Sequence, residues 1–296
     1  MRIILTALLC SALSMYAFTQ EATVTELGFY ADVIANAGAP ENRQKAHKQF
    51  KKLMDNWIES DDFSIDQAEQ INWLSVKSPE DKSFAVITWQ LKIDENDYSY
   101  FGYIWKNGKV YPLSEEKNME DAEYNILSNN EWLGVLYYNL IPIKKGEQDY
   151  FVLFGYNGHK DYEHRKVADV LYFENDVPVF GTEIFKKQME GERGVIKNRL
   201  ILDYSVDANV SMNYNPTLGM IVYDNLIPVM GQIAGQGLTL LPDGSYSGYK
   251  WDGEYFVFVE KLYDQVLDDA PFPKPILGGD GAGKKSKDLF GRERGN

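Results

Sequence analysis

The sequence predicts an α+β protein that is mostly β: an N-terminal helical pair, then a large antiparallel β domain, then a disordered C-terminal tail. Three observations lead there. Apolar residues recur with the helical period over residues 20–60, with a period of two over much of residues 61–268, and with neither period over residues 269–296. The chain has 296 residues, 44% apolar and 25% charged, which supports a large folded core and excludes a disordered or fibrous chain. Acids outnumber bases 44 to 30, for a net charge of −14. No nucleic-acid partner is expected, because such a surface must be cationic to displace counterions from phosphates.

Residues 1–19 read as a signal peptide. Met1-Arg2 supplies the basic start, Ile3 to Ala17 the apolar run with Leu5, Leu8, Leu9 and Leu13, and Ala17-Phe18-Thr19 a small-x-small exit. The run is shorter than the roughly 20 apolar residues that cross a bilayer. The expectation is therefore an exported chain starting near Gln20, periplasmic, outer-membrane-associated or extracellular, and not an integral membrane protein. Cys10, the single cysteine, sits inside the apolar run, so disulfides, thiolate nucleophiles and thiolate metal sites are excluded from the mature chain.

Residues 20–60 form the helical segment. Leu27, Tyr30, Ala31 and Ile34 share one helix face, and after Gly38-Ala39-Pro40 a second stripe follows with Ala46, Phe50, Leu53, Met54, Trp57 and Ile58. Pro40 suits a first helical turn, where its missing N–H loses no partner. Lys45, Lys48, Lys51 and Lys52 read as a solvated face, since Glu41, Asp55, Glu59 and Asp61 surround them.

Residues 61–268 form the β domain. Ala85, Ile87, Trp89, Leu91 and Ile93 fall on one face of a strand whose other face holds Thr88, Gln90 and Lys92, the pattern of a half-buried strand. Asn107-Gly108 marks a two-residue hairpin between Tyr98–Trp105 and Lys109–Leu113, and Asp252-Gly253 joins the last pair, Ser245–Trp251 and Tyr255–Glu260. Asp94-Glu95-Asn96-Asp97 and Glu174-Asn175-Asp176 read as turns. Few connections are long enough for a crossover helix, so the sheets are expected to be antiparallel. Two internal echoes stand out. Leu133 to Ile143 reappears with one inserted residue as Leu218 to Val229, each ending in Asn-Leu-Ile-Pro, where the proline is expected to close the ladder. Tyr98–Gly108 is echoed more loosely by Tyr246–Gly253. They suggest a pseudo-repeated architecture, propeller-like or a two-sheet sandwich.

Residues 269–296 hold Pro271, Pro273 and Pro275, a glycine run from Gly278 to Gly283, and Lys284, Lys285 and Lys287, the composition of a disordered linker. With +1 on residues 1–19 and +2 on this tail, the segment between them carries −17. Leu289-Phe290-Gly291 offers a tethered linear motif for a partner.

The segments Ser78–Phe84 running into Thr88-Trp89, Tyr100-Phe101-Gly102-Tyr103, Trp132–Gly146, Tyr150–Gly158 and Arg165–Gly181 resemble those of a group of exported bacterial proteins of unknown function, over about residues 70–260. The resemblance implies export and a β-rich fold. It implies no activity, cofactor or site.

Few residues offer chemistry. Gly278-x4-Gly283-Lys284 approaches a phosphate-binding loop, but Lys285 stands where Ser or Thr is needed and no strand precedes it. Gly244-Ser245-Tyr246-Ser247-Gly248 has Tyr246 where a nucleophile elbow has its serine. His159, Asp161, Glu163 and His164 supply imidazole and carboxylate groups suited to a transition metal. Histidines five apart share no helix face, however, and a polar surface loop explains the cluster as well. No cofactor is implied. Tyr103, Trp105, Tyr249 and Trp251, near hairpin ends, are candidates for an aromatic ligand platform, with cross-strand core packing as the competing account. With no catalytic constellation, the expected function is a non-catalytic binding protein of the bacterial envelope, its partner an envelope protein or glycan. The alternative is a secreted hydrolase of polysaccharide or peptide using a carboxylate pair. A pocket with two convergent acids would favour the enzyme and an aromatic surface the binder.

Overall fold

A computed structural model describes residues 22–262, apart from 95–96, 118, 161, 189–193 and 232–234. Residues 1–19, the tail 269–296 and its Leu289-Phe290-Gly291 motif lie outside the described residues. Strand outweighs helix, 49% to 17%, so the mostly β class is as the periodicity predicts.

Three helices lead. Helix α1 spans residues 22–36, α2 spans Pro40–Ile58 and α3 spans Ile65–Ala68. Pro40 is the first helical residue of α2, with Ala39 extended at the N-cap. The buried stripe of α2 contains Ala46, Phe50, Met54, Trp57 and Ile58, and Lys45, Lys48, Lys51 and Lys52 are exposed on the other side, as predicted. Arg43 is buried beside the α1–α2 connection. It donates from Nη1 to the carbonyls of Ala37 and Gly38 and from Nε to that of Lys92, which fastens the helical turn to the sheet below.

The strands form three sheets. The first contains β1 (Ser75–Lys77), β2 (Phe84–Lys92), β3 (Tyr98–Lys106) and β4 (Lys109–Leu113), antiparallel and in that order. The second contains β5 (Leu127–Ser128), β6 (Leu136–Lys145), β7 (Gln148–Lys160), β8 (Glu163–Glu174) and β9 (Val177–Phe180), in the order β5-β9-β8-β7-β6. The chain then makes β10 (Phe185–Lys187) and β11 (Val195–Lys197), returns to β8 with β12 (Leu200–Ser205), and continues through β13 (Met212–Asn215), β14 (Met220–Met230), β15 (Leu238–Trp251) and β16 (Phe256–Val259). The third sheet has the order β11-β10-β16-β15-β14-β13, and its β10–β16 pair is parallel, so it is mixed. Predicted turns appear where left-handed backbone is required: Asn107 and Gly108 have φ of 50° and 80°, and Asn175 and Asp176 have φ of 50° and 71°.

Three shared cores stack these elements as helices, first sheet, second sheet and third sheet. Ala85, Ile87, Trp89, Leu91 and Tyr103 pack under the helices. On the opposite face, Phe84, Val86, Tyr100 and Ile104 meet Tyr137, Leu153, Val167 and Leu171 of the second sheet. The other face of that sheet, with Val152, Phe154, Ala168 and Val170, meets Phe185, Ile221, Tyr249 and Phe256 of the third. Two sequence expectations are corrected here. Among the described residues the architecture is a stack of three sheets with no closed barrel: the layered alternative holds, with a third sheet added to the expected two, and the ring of blades does not. β2 is also buried on both faces, with Phe84, Val86 and Thr88 at 1%, 0% and 0% exposure, because a sheet and a helical layer enclose it.

The first echo is structural. Gly134 and Gly219 precede β6 and β14 with φ of 67° and 64°, and both strands change register midway, between Tyr137 and Asn139 and between Asp224 and Leu226. The prolines do not end these ladders. Pro142 pairs with Phe151 and Pro228 with Leu240, and the strands continue to Lys145 and Met230. Proline is tolerated because β6 is an edge strand and β13 reaches β14 only as far as Tyr223.

Candidate ligand-binding cavity

The residues singled out by sequence are parted in space. Tyr103 is 3% exposed and donates its hydroxyl to Asp55 of α2, and Trp105 packs against the same helical core. Burial, reinforced by Asp55, raises the Tyr103 phenol well above its ordinary range. Tyr249 is 4% exposed and lies with Trp251 in the core between the second and third sheets. The four form no common exposed platform, since alternate strand residues face packed neighbours on both sides. In the histidine segment, His159 falls within β7, Asp161 lies outside the described residues, and Glu163 and His164 open β8. The His164 ring stands edge-on to Tyr156 and Tyr204 at 5.3 and 5.8 Å, and burial lowers its pKa, with Lys166 adding to the shift. Among the described residues, no three metal-ligating side chains converge.

The ligand-sized space lies elsewhere. A cavity of about 540 Å3 opens beside the first sheet, lined by α1, the start of β1, the end of β2 and the start of β6. It arises because β1 is three residues long and pairs only with Val86, Ile87 and Thr88, so β2 from Trp89 to Lys92 has lost that neighbour. Trp73, just before β1, turns the chain aside at a φ of 68°. For a bulky side chain this left-handed backbone is unfavourable, by about 1–3 kcal/mol. Its indole stays 59% exposed at the rim and donates from Nε1 to Asp32 of α1 at 3.2 Å. Ser75 donates its hydroxyl to the carbonyl of Tyr137, joining β1 to β6 at the cavity wall.

The lining is chiefly apolar and aromatic. Ala31 and Ile34 come from α1, Phe50 from α2, and Trp89 from β2 stacks on Phe101 at 5.8 Å. Among the lining side chains, Trp89 Nε1 and Gln90 Oε1 are buried polar atoms with no hydrogen-bond partner. Orphaned buried groups of this kind are uncommon and cost about 1–3 kcal/mol each. Lys77 and Lys92 are the charged members. Burial lowers the Lys77 pKa, opposed by Glu69, and the Lys92 ammonium lies 5.9 Å from the Tyr98 ring centre. The size falls within the roughly 300–1,000 Å3 of small-molecule sites.

A second cavity, of about 130 Å3, lies across Tyr98 and is polar, with Asp97, Glu115, Glu116, Lys117, Asn157 and Arg165 in its wall. Burial pushes the Glu115 carboxyl up, while the Tyr100 N–H at 3.1 Å and the Lys117 charge pull it down. Asp97 faces Lys117 at 3.5 Å. The Tyr100 hydroxyl accepts from Gly158 N at 2.6 Å, and Arg165 is held by Asp203 in a two-pronged pair at 2.6 and 2.9 Å.

Sequence reasoning missed the larger cavity. Its walls come from segments up to about a hundred residues apart, and no local period marks a strand that stops short. The available signal was Trp73, a tryptophan belonging to neither the helical stripes nor a strand alternation. Compared with protein-family models, curated proteins and solved structures, the chain has no match, so its geometry alone carries the functional reading.

Proposed function

We propose that the chain is an exported, non-catalytic binding protein of the bacterial envelope that holds an apolar small molecule in the cavity between α1 and the first sheet. The carrying observation is the 540 Å3 space walled by aliphatic and aromatic side chains, with unpartnered polar atoms on Trp89 and Gln90 and no carboxylate in its lining among the described residues. Sites of that composition bury a ligand's hydrocarbon and orient it with a few polar groups. Export is supported by the leader pattern of residues 1–19.

Ala35 is exposed at the cavity's edge on α1, so a large side chain there plugs the space without entering the core. Ala35→Trp is expected to keep the wild-type melting temperature while abolishing the thermal shift given by a panel of long-chain acids, alcohols and fused-ring compounds. Undiminished shifts in Ala35→Trp, or no shift in the wild type from any member, would sink the reading.

The carboxylate-pair hydrolase has one observation in its favour, the raised Glu115 near Asp97 in the smaller cavity. At about 130 Å3 that space falls well short of the roughly 300–1,000 Å3 of small-molecule sites. Turnover of a glycan or peptide panel, lost in Glu115→Gln, would reverse this ranking.

A further inference from the structure

The cavity's charge is opposite to that of the chain. Acids outnumber bases 44 to 30 in the sequence, yet among the described residues the lining contains no acid and its charged members are both lysines. Neither Lys77 nor Lys92 has an ion-pair partner among the described residues. Glu69, the acid whose field reaches Lys77, is engaged by Lys82 at 2.5 Å. Asp32 at the rim accepts hydrogen bonds from Trp73 and Asn36, and Asp97, beside Tyr98, pairs with Lys117. Partly buried ammonium groups without a counter-charge are costly, and an arriving anion removes that cost.

We propose that the cavity takes an amphipathic carboxylate, a fatty-acid-like or aromatic acid, with its head on a lining lysine, Lys77 or Lys92, and its hydrocarbon against Ala31, Ile34, Trp73 and Trp89. This rests on the small-molecule reading above and adds the chemistry of the head. Three features agree with it. The lining combines apolar and aromatic side chains with charge of one sign among its described residues, which suits a ligand with one apolar and one anionic end. Trp89 Nε1 is a donor without an acceptor, which a carboxylate oxygen satisfies. The strongly acidic chain repels anions at large, so lysines that have no ion-pair partner among the described residues, in a lining whose described residues include no acid, make a local exception that selects for an anion able to bury its tail. Gln90 Oε1 is left for a donor, such as a hydroxyl or amide N–H, elsewhere on the ligand.

Three probes that share a twelve-carbon chain test this by titration calorimetry on the mature chain: dodecanoate, dodecanol and dodecyltrimethylammonium. Dodecanoate should bind about tenfold more tightly than dodecanol, equivalent to about 1.4 kcal/mol, and the cation should bind most weakly. In the Lys77→Met, Lys92→Met double variant the acid should lose its advantage while dodecanol stays within about twofold of its wild-type affinity. Dodecanol binding as tightly as dodecanoate, or a preference that survives in the double variant, would overturn the anionic head and leave the apolar cavity standing. Binding of no probe would overturn both. If the double variant does not fold, salt decides: the wild-type preference for the acid should shrink between 50 mM and 500 mM NaCl, and constancy would count against the lysines.

Discussion

Arg199 is fully buried and directs every branch of its guanidinium to an acceptor. Nε donates to Asp169 Oδ1 at 2.8 Å, Nη1 to the carbonyls of Ala122 and Asn125, and Nη2 to that of Phe180 at 3.1 Å. Asp169 in turn accepts from the Tyr137 hydroxyl, which accepts from Trp132 Nε1 at 3.1 Å, all of them without solvent exposure. Breaking such a network from one side strands a buried charge, a loss of about 3–5 kcal/mol. Arg199→Met should therefore lower the melting temperature by roughly 6–20 °C for a domain of this size. The double variant with Asp169→Leu should recover part of it, and equal melting of the single variant and wild type would contradict this account. His47 makes a pH prediction. Burial, with Lys51 adding to it, pushes its imidazole down to about 4. The unfolded imidazole titrates near 6.5, so between about pH 6.5 and pH 4 the unfolded chain binds a proton that the fold does not, and stability falls as pH falls. Chemical denaturation should show the wild type losing about 1–2 kcal/mol more than His47→Leu between pH 7 and pH 4.5. Parallel losses in the two proteins would exclude His47 as the cause.

Glycine shows at the level of elements what the echoes mean. In each sheet a Gly-Tyr step on a long strand lies opposite a buried residue: Gly102 opposite Thr88, Gly155 opposite Tyr137 and Gly248 opposite Val222. A Cβ on these glycines would run into the carbonyl of Ile87, the side chain of Val135 and the carbonyl of Ile221. Gly248→Ala presses on backbone and should cost about 1–3 kcal/mol. Gly28→Ala, within α1 and open to nothing within 4 Å, should instead stabilise by about 0.5–1 kcal/mol through helix propensity. Opposite signs in denaturant midpoints check the pair, and a harmless Gly248→Ala would mean that the close approach relaxes. Much of this level was legible in the sequence. The odd row of β2, the α2 stripe and the Asn107-Gly108 turn are local patterns with one physical solution each. The even row was not, because Phe84, Val86 and Thr88 alternate with an apolar row and nothing local says that a second sheet covers them. The prolines misled for the same reason: whether Pro142 ends a strand depends on a neighbouring strand that the sequence does not display.

For the whole molecule, the helical layer does two jobs that the sequence kept apart. Residues 20–60 and the β domain read as separate segments, and the aromatics near hairpin ends read as core or, alternatively, as a binding platform. The stack instead makes α1 and α2 the lid of the first sheet's core, and α1 also walls the cavity, so fold and candidate site depend on the same contacts. The site was illegible because it is a gap left by a short β1 among distant segments. A chain beginning at residue 61 uncovers the β2 row Ala85, Ile87, Trp89 and Leu91 with Tyr103 beside it on β3, a contiguous apolar face of the kind that promotes association. Such a chain should aggregate or bind anilinonaphthalene sulfonate strongly and melt without a sharp transition. Adding residues 20–60 back as a separate peptide should restore part of the cooperativity if that row is their seat. A soluble, sharply melting protein from residue 61 onward would instead make the helices an accessory to the three sheets, and the cavity would then lose the wall on which its proposed function depends.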